Sequence, residues 1–168
     1  YVRKTLAEQR QDEIAAEKQS ATIAVAVDNA EVLKYPEGVV EDYMAQQIDY
    51  VRYYATTYGM SYEDFVSAAL GMDTAAYEAE VRKSAEQSVK EELVIWAIAE
   101  AENFTISEER RAEELKSLLA YYDYEDLASM CEAYGFSEDY MNRTMTYSIY
   151  YVDVMDMLVE NATFKGAK

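Results

Sequence analysis

Apolar positions along the chain recur at helical spacing, and no strict apolar–polar alternation of useful length occurs. Residues 1–30 predict a long first helix, charged from Arg3 through Lys18 and then apolar at Ala21, Ile23, Ala24, Val25 and Val27. That switch describes a solvated lead-in that becomes packed near its end, with Asp28 and Asn29 as stop residues. A short extended piece, Val32 to Tyr35, leads to Pro36, which suits a first helical turn because its missing N–H would have no partner there. A second helix is expected from about Glu37 to Tyr58, with Val40, Met44, Val51, Ala55 and Tyr58 on one face and Gly59 as a left-handed end.

Ser61 then caps a short third helix through Leu70, with Asp64 at the reciprocal capping position and Gly71 as the stop. A fourth helix starts at Asp73 or Thr74, runs to about Asn103, and holds Val81, Val89, Leu93, Trp96 and Ile98. Ser107 caps a fifth helix with Leu115, Leu118 and Leu119; a sixth runs from about Asp123 to Tyr134, and the last from Ser137 to about Thr163. Tyr58-Gly59-Met60-Ser61 and Tyr134-Gly135-Phe136-Ser137 are one device used twice, a tight corner in which Gly ends one helix and Ser starts the next. On the last helix Met141, Met145, Val152, Met155 and Val159 form one apolar side, and Tyr140, Tyr147, Tyr151, Val154 and Leu158 an adjoining one. Only the sector of Asn142, Asp153 and Glu160 is polar, so this helix is expected to be central, with its methionines in the core. The fold class is therefore all-α, with seven helices.

Composition narrows the functional classes. A length of 168 residues suits one domain, and one proline with five glycines leaves long helices uninterrupted. The formal net charge of −18 repels phosphate backbones and anionic lipid, which argues against nucleic acid and membrane as partners. It would draw basic partners, and it would also serve plain solubility. Cys131 stands alone, so no internal disulfide is available and a reducing compartment is expected. The chain opens at Tyr1, without Met and inside a helix, from which a fragment of a longer parent is expected.

Histidine is absent, which excludes Ser–His and Cys–His nucleophile systems, the Glu-x-x-His pair of di-iron bundles, and the usual zinc spacings. No glycine-rich phosphate loop is present. Carboxylate pairs such as Glu108-Glu109 and Glu113-Glu114 read as a solvated face, and Cys131, without a cationic neighbour, as a buried inert thiol. No catalytic residue, cofactor or metal is expected from these residues.

Seventeen tyrosines and eight methionines are the compositional oddity. Tyr54 and Tyr58 fall with Val40, Met44 and Val51 and so are expected in the core. Tyr43, Tyr50 and Tyr53 project off that stripe, and Tyr121, Tyr122 and Tyr124 crowd where one helix gives way to the next. Tyrosine carries an apolar ring with a polar tip, and methionine is adaptable; together they suit promiscuous contact with apolar polypeptide. Tyr43, Tyr50, Tyr53, Tyr121, Tyr122 and Tyr124 are therefore the candidate polypeptide-binding residues.

The order of segments resembles the C-terminal domain of bacterial trigger factor over nearly the whole chain. The resemblance is carried by Val2-Arg3-Lys4-Thr5-Leu6, by Asn29-Ala30-Glu31-Val32 with Pro36-Glu37, and by Tyr58-Gly59-Met60-Ser61-Tyr62-Glu63-Asp64-Phe65. It continues in Ala97-Ile98-Ala99-Glu100-Ala101-Glu102, in Ile106-Ser107-Glu108-Glu109 and in the closing Leu158-Val159-Glu160-Asn161-Ala162. The tyrosine load marks a divergent member.

That resemblance implies an elongated domain whose first and last helices form a body, with helical arms at about Val40 to Val89 and Ile106 to Met145. It implies an ATP-independent chaperone that cradles unfolded or nascent polypeptide, with basic clients favoured by the charge, and it relates the fold to the helical part of SurA-type chaperones. Peptidyl-prolyl isomerisation and ribosome docking belong, in the family, to separate FKBP-like and N-terminal domains, so this segment itself is not expected to be an enzyme. A cytoplasmic location is implied, with an exported parent as the alternative, and exchange of arms in a homodimer is left open. Two other classes stand beside it: an acidic adaptor module that uses the same tyrosines on one folded partner, and an enzyme fragment working with carboxylates alone.

Overall fold

Short polar side chains set most of the helix starts. Ser61 Oγ accepts from the Asp64 N–H at 3.0 Å, Ser107 Oγ from Arg110 at 3.2 Å, and Ser137 Oγ from Tyr140 at 3.1 Å. Asp73 Oδ1 takes the Ala76 N–H at 2.8 Å. Each bond satisfies one of the backbone donors that a helix leaves open in its first turn. In the computed structural model, which describes residues 2–135 and 137–164, seven α-helices follow: α1 (Val2–Asn29), α2 (Val39–Thr57), α3 (Tyr62–Phe65), α4 (Thr74–Ala101), α5 (Glu108–Tyr122), α6 (Leu127–Tyr134) and α7 (Glu138–Asn161). Among the described residues no strand occurs, and no helix is long and apolar enough to cross a membrane.

Three boundaries differ from the expectation. α2 begins at Val39, because Gly38 takes φ +79° as its N-cap, and Pro36 lies ahead of the helix in a turn closed by the Val39 N–H on its carbonyl. α3 is one turn long and passes into a π-helical turn, Val66–Leu70. α6 begins at Leu127 and not at Asp123. Asp123 adopts φ +60° as the end of α5, a conformation that Asp tolerates better than most residues, and Asp126 does the capping through the Ser129 N–H at 2.8 Å. The two glycine corners are as read, with Gly59 at φ +67° and Gly135 at φ +73°; Phe136, the apolar residue expected in the second, lies outside the described residues, as does Tyr1 at the expected start of the first helix.

The chain divides into two compact units: the described residues up to Ala30 together with those from Val94 onward, and Glu31–Leu93. Residues 106–145 thus cluster with α1 and α7. The core of the first unit joins Ile23 and Val27 of α1, Val94, Ile95 and Ala99 at the end of α4, and Val154 and Met155 of α7. Fully burying a side chain such as Ile95 contributes about 1.5–3 kcal/mol. α7 is central here, packed against α1, α5 and α6 as well, with Met145, Ile149 and Met155 buried. Its polar sector is also used: Asp153 pairs with Arg110 of α5 at 2.8 Å, and Thr146 Oγ1 accepts from Arg111 at 3.2 Å. Val152 departs from the expected apolar side and is exposed.

The second unit has a smaller core, Val40 of α2 with Ala85 and Val89 of α4, flanked by Tyr35, Val39, Tyr43, Met44 and Leu93. Glu92 is 7 % exposed, a buried carboxylate that accepts the Tyr43 hydroxyl at 3.0 Å. A buried charge is tolerated only when hydrogen-bonded, so this bond is part of how α2 and α4 pack.

Candidate functional site

The six tyrosines singled out from the sequence do not form one group. Tyr43 is half-buried against the Val40–Ala85–Val89 cluster, with its hydroxyl on Glu92, and so is withdrawn from the surface where it was expected. The reason is local: Val40, Tyr43 and Met44 stand at i, i+3 and i+4, on the face of α2 turned to α4. Tyr50 and Tyr53 are exposed, at 63 % and 68 %.

Tyr54 joins them. Its ring lies edge-on to Tyr50 at 4.8 Å and to Tyr53 at 5.7 Å between centroids, and its hydroxyl oxygen is 3.1 Å from that of Tyr50, the two hydroxyls sharing one hydrogen bond. That hydrogen bond and the charge Tyr50 would carry when ionised hold the Tyr54 phenol above its ordinary value. Tyr58, expected in the core, is 68 % exposed. It is the C-cap of α2, past the last helical residue, and its ring stacks with Phe65 at 5.9 Å. Below this ridge, Gln46, Gln47, Tyr50, Val51 and Tyr77 line a shallow depression of about 370 Å³. Burial raises the phenols of Tyr62 and Tyr77; at Tyr62 the Glu78 carboxylate adds to this, and the Arg52 guanidinium, 5.3 Å from the ring centroid, opposes it.

In the first unit the tyrosines do come together, from three places in the chain. Tyr121 and Tyr122 end α5, Tyr124 lies in the turn that follows, and Tyr134 ends α6. The Tyr122 ring is 4.9 Å from Tyr121 and 5.7 Å from Tyr134, and Tyr124 is 6.0 Å from Tyr134. Tyr121 is 82 % exposed. Beside this cluster runs a groove of about 340 Å³ lined by Glu114, Leu118, Tyr121, Tyr122, Met141, Thr144, Met145 and Ser148. α5 supplies one wall and α7 the other, so an aromatic rim sits over an aliphatic and thioether lining.

Sequence reasoning missed Tyr134, Leu118 and the part that Met141 and Met145 take in the groove. A signal for Tyr134 was present: it occupies the same place before Gly135 as Tyr58 does before Gly59, and both side chains are exposed by the corner. Cys131 is buried on α6, where burial, with the Glu138 carboxylate, pushes its thiol up; such a thiol is a poor nucleophile. Among the described residues no cluster of acidic or sulfur side chains suited to a metal ion is found.

Comparison with known proteins gives a consistent result. The family model described as bacterial trigger factor protein (TF) C-terminus matches residues 1–160. The chain is 35% identical to the trigger factor of Listeria innocua over 124 residues, which is 74% of this chain and 29% of that protein. It is 28% identical to the trigger factor of Pediococcus pentosaceus over 151 residues, 90% of this chain and 34% of that protein. With the trigger factor of Pelotomaculum thermopropionicum it shares 35% identity over 115 residues, 67% of this chain and 26% of that protein. The matched stretch thus spans about a third of the length of these relatives or less. No solved structure matches.

Proposed function

The chain belongs to the bacterial trigger factor C-terminal family, and from that premise we propose that it holds unfolded or nascent polypeptide without ATP and so assists folding. The single observation that supports this most is the exposed Tyr121–Tyr122–Tyr134 cluster beside the groove lined by Leu118, Met141 and Met145. Although their rings touch one another, Tyr121, Tyr122 and Tyr134 stay exposed at the ends of α5 and α6 and so remain available to a passing apolar segment. Tyrosine tips and a net charge of −18 keep such a surface soluble. The Tyr50–Tyr53–Tyr54 ridge is a second surface of the same kind in the other unit.

The clients are unfolded chains of many sequences, bound weakly, with apolar contact dominant and a salt-dependent preference for basic ones. Ribosome docking and prolyl isomerisation fall to other domains of a longer parent, which acts in the cytoplasm. The test is aggregation of a chemically denatured client, followed by light scattering with the chain in molar excess. Wild type slows aggregation, and a Tyr121→Ser/Tyr122→Ser variant with unchanged helix content slows it less. No effect of the folded wild-type chain on any of several unrelated clients would remove the proposal.

A further inference from the structure

The groove between α5 and α7 is chemically uneven. Leu118, Met141 and Met145 are apolar, Tyr121 and Tyr122 meet at 84° so that their ring faces look in different directions, and Glu114 is the one charged group among the described residues that line it. No cation answers Glu114 from that lining. Two basic residues earlier on α5 are engaged on α7: Arg110 with Asp153 and Arg111 with Thr146.

We propose that this groove takes one long cationic side chain, arginine or lysine, from the bound polypeptide. The inference rests on the polypeptide-holding reading above and narrows it to a side-chain class. The alkyl stem lies along Leu118, Met141 and Met145, where a long charged residue can bury its methylenes. The charged head meets Glu114 and the negative face of a tyrosine ring. A volume of about 340 Å³, at the small end of ligand pockets, has room for one such side chain. The chain already uses the same chemistry on itself: the Lys18 ammonium lies 5.2 Å from the Phe164 ring centroid, and the Arg52 guanidinium 5.3 Å from that of Tyr62.

Long-range attraction by an acidic chain would also favour basic peptides, so the test must separate the groove from the global field. Two labelled, unstructured peptides serve as probes: one with a single arginine among apolar residues, the other with neutral, isosteric citrulline in its place. Fluorescence anisotropy with the full chain is expected to show the arginine peptide bound about threefold to tenfold tighter. In Glu114→Gln, which takes the net charge only from −18 to −17, the gap shrinks most, and in Tyr121→Leu/Tyr122→Leu it also narrows. Glu113→Gln makes the same charge change outside the groove lining and keeps the gap. Equal affinity of the two peptides for wild type, or a gap that survives Glu114→Gln as fully as Glu113→Gln, overturns the cationic pocket alone. Failure of both peptides to bind overturns the polypeptide-holding reading with it.

Discussion

The tyrosines of Glu31–Leu93 and those of the unit that contains α5–α7 differ in how they are assembled. In the former, Tyr50, Tyr53 and Tyr54 come from successive turns of one helix and make a ridge above a shallow depression. In the latter, Tyr121, Tyr122, Tyr124 and Tyr134 come from two helix ends and the turn between them, and Tyr121 and Tyr122 line a groove whose other wall is α7. A ridge on one helix offers ring edges and hydroxyls to a partner that must supply its own pocket. A groove between two helices desolvates what enters it, which is where apolar contact contributes most. The first needs only the helix to fold; the second exists only if α5, α6 and α7 dock.

The cores beneath the two surfaces suggest the most severe way to break this contrast. Ile95→Ala removes a fully buried side chain from the α1–α4–α7 cluster and is expected to cost about 2–5 kcal/mol, read as a lower urea midpoint. Such a loss should erode the groove, while hydrogen exchange in α2 changes less. Next in size is Tyr43→Phe, which deprives buried Glu92 of a donor and should cost roughly 1–3 kcal/mol, with faster hydrogen exchange in α2 and the groove left intact.

A third experiment sharpens the comparison directly. Tyr121→Ser/Tyr122→Ser is expected to raise the chain concentration for half-suppression of client aggregation about threefold to tenfold, and Tyr50→Ser/Tyr53→Ser by less. Equal effects would mean that the groove adds nothing to the exposed rings. The smallest effect is spectroscopic. Tyr54 should lose its proton above the ordinary 10.0, and Tyr50→Phe should bring that titration down, followed by phenolate absorbance. The folded state then binds this proton more tightly than the unfolded one. The associated stability is full below the unfolded value and is lost as pH rises through the folded value.

Much of the fold was legible one helix at a time. Ser61, Ser107 and Ser137 begin helices as their spacing implied, and Gly59, Gly71 and Gly135 end them in the left-handed region. These are local bonds within a few residues, so the sequence states them directly. The start of α6 was misread because Asp123 and Asp126 are both able caps, and only the chain path beyond α5 distinguishes them. Surface and core were less legible. Tyr43 and Tyr53 lie on the same helix, yet one hydroxyl is sequestered by Glu92, 49 residues away, while the other side chain stays in water.

By itself the sequence determined an all-helical chain with capped boundaries, a central closing helix, a strongly acidic surface and membership of a family. Each of these follows from composition or from contacts between residues near in the chain. The tertiary structure alone decided which tyrosines are buried and that Tyr134, Leu118 and Met141 share a site with Tyr121 and Tyr122. Helical period specifies the angle at which a side chain leaves its own axis. What it meets there depends on how a second helix docks, and that is settled by packing between residues far apart in sequence.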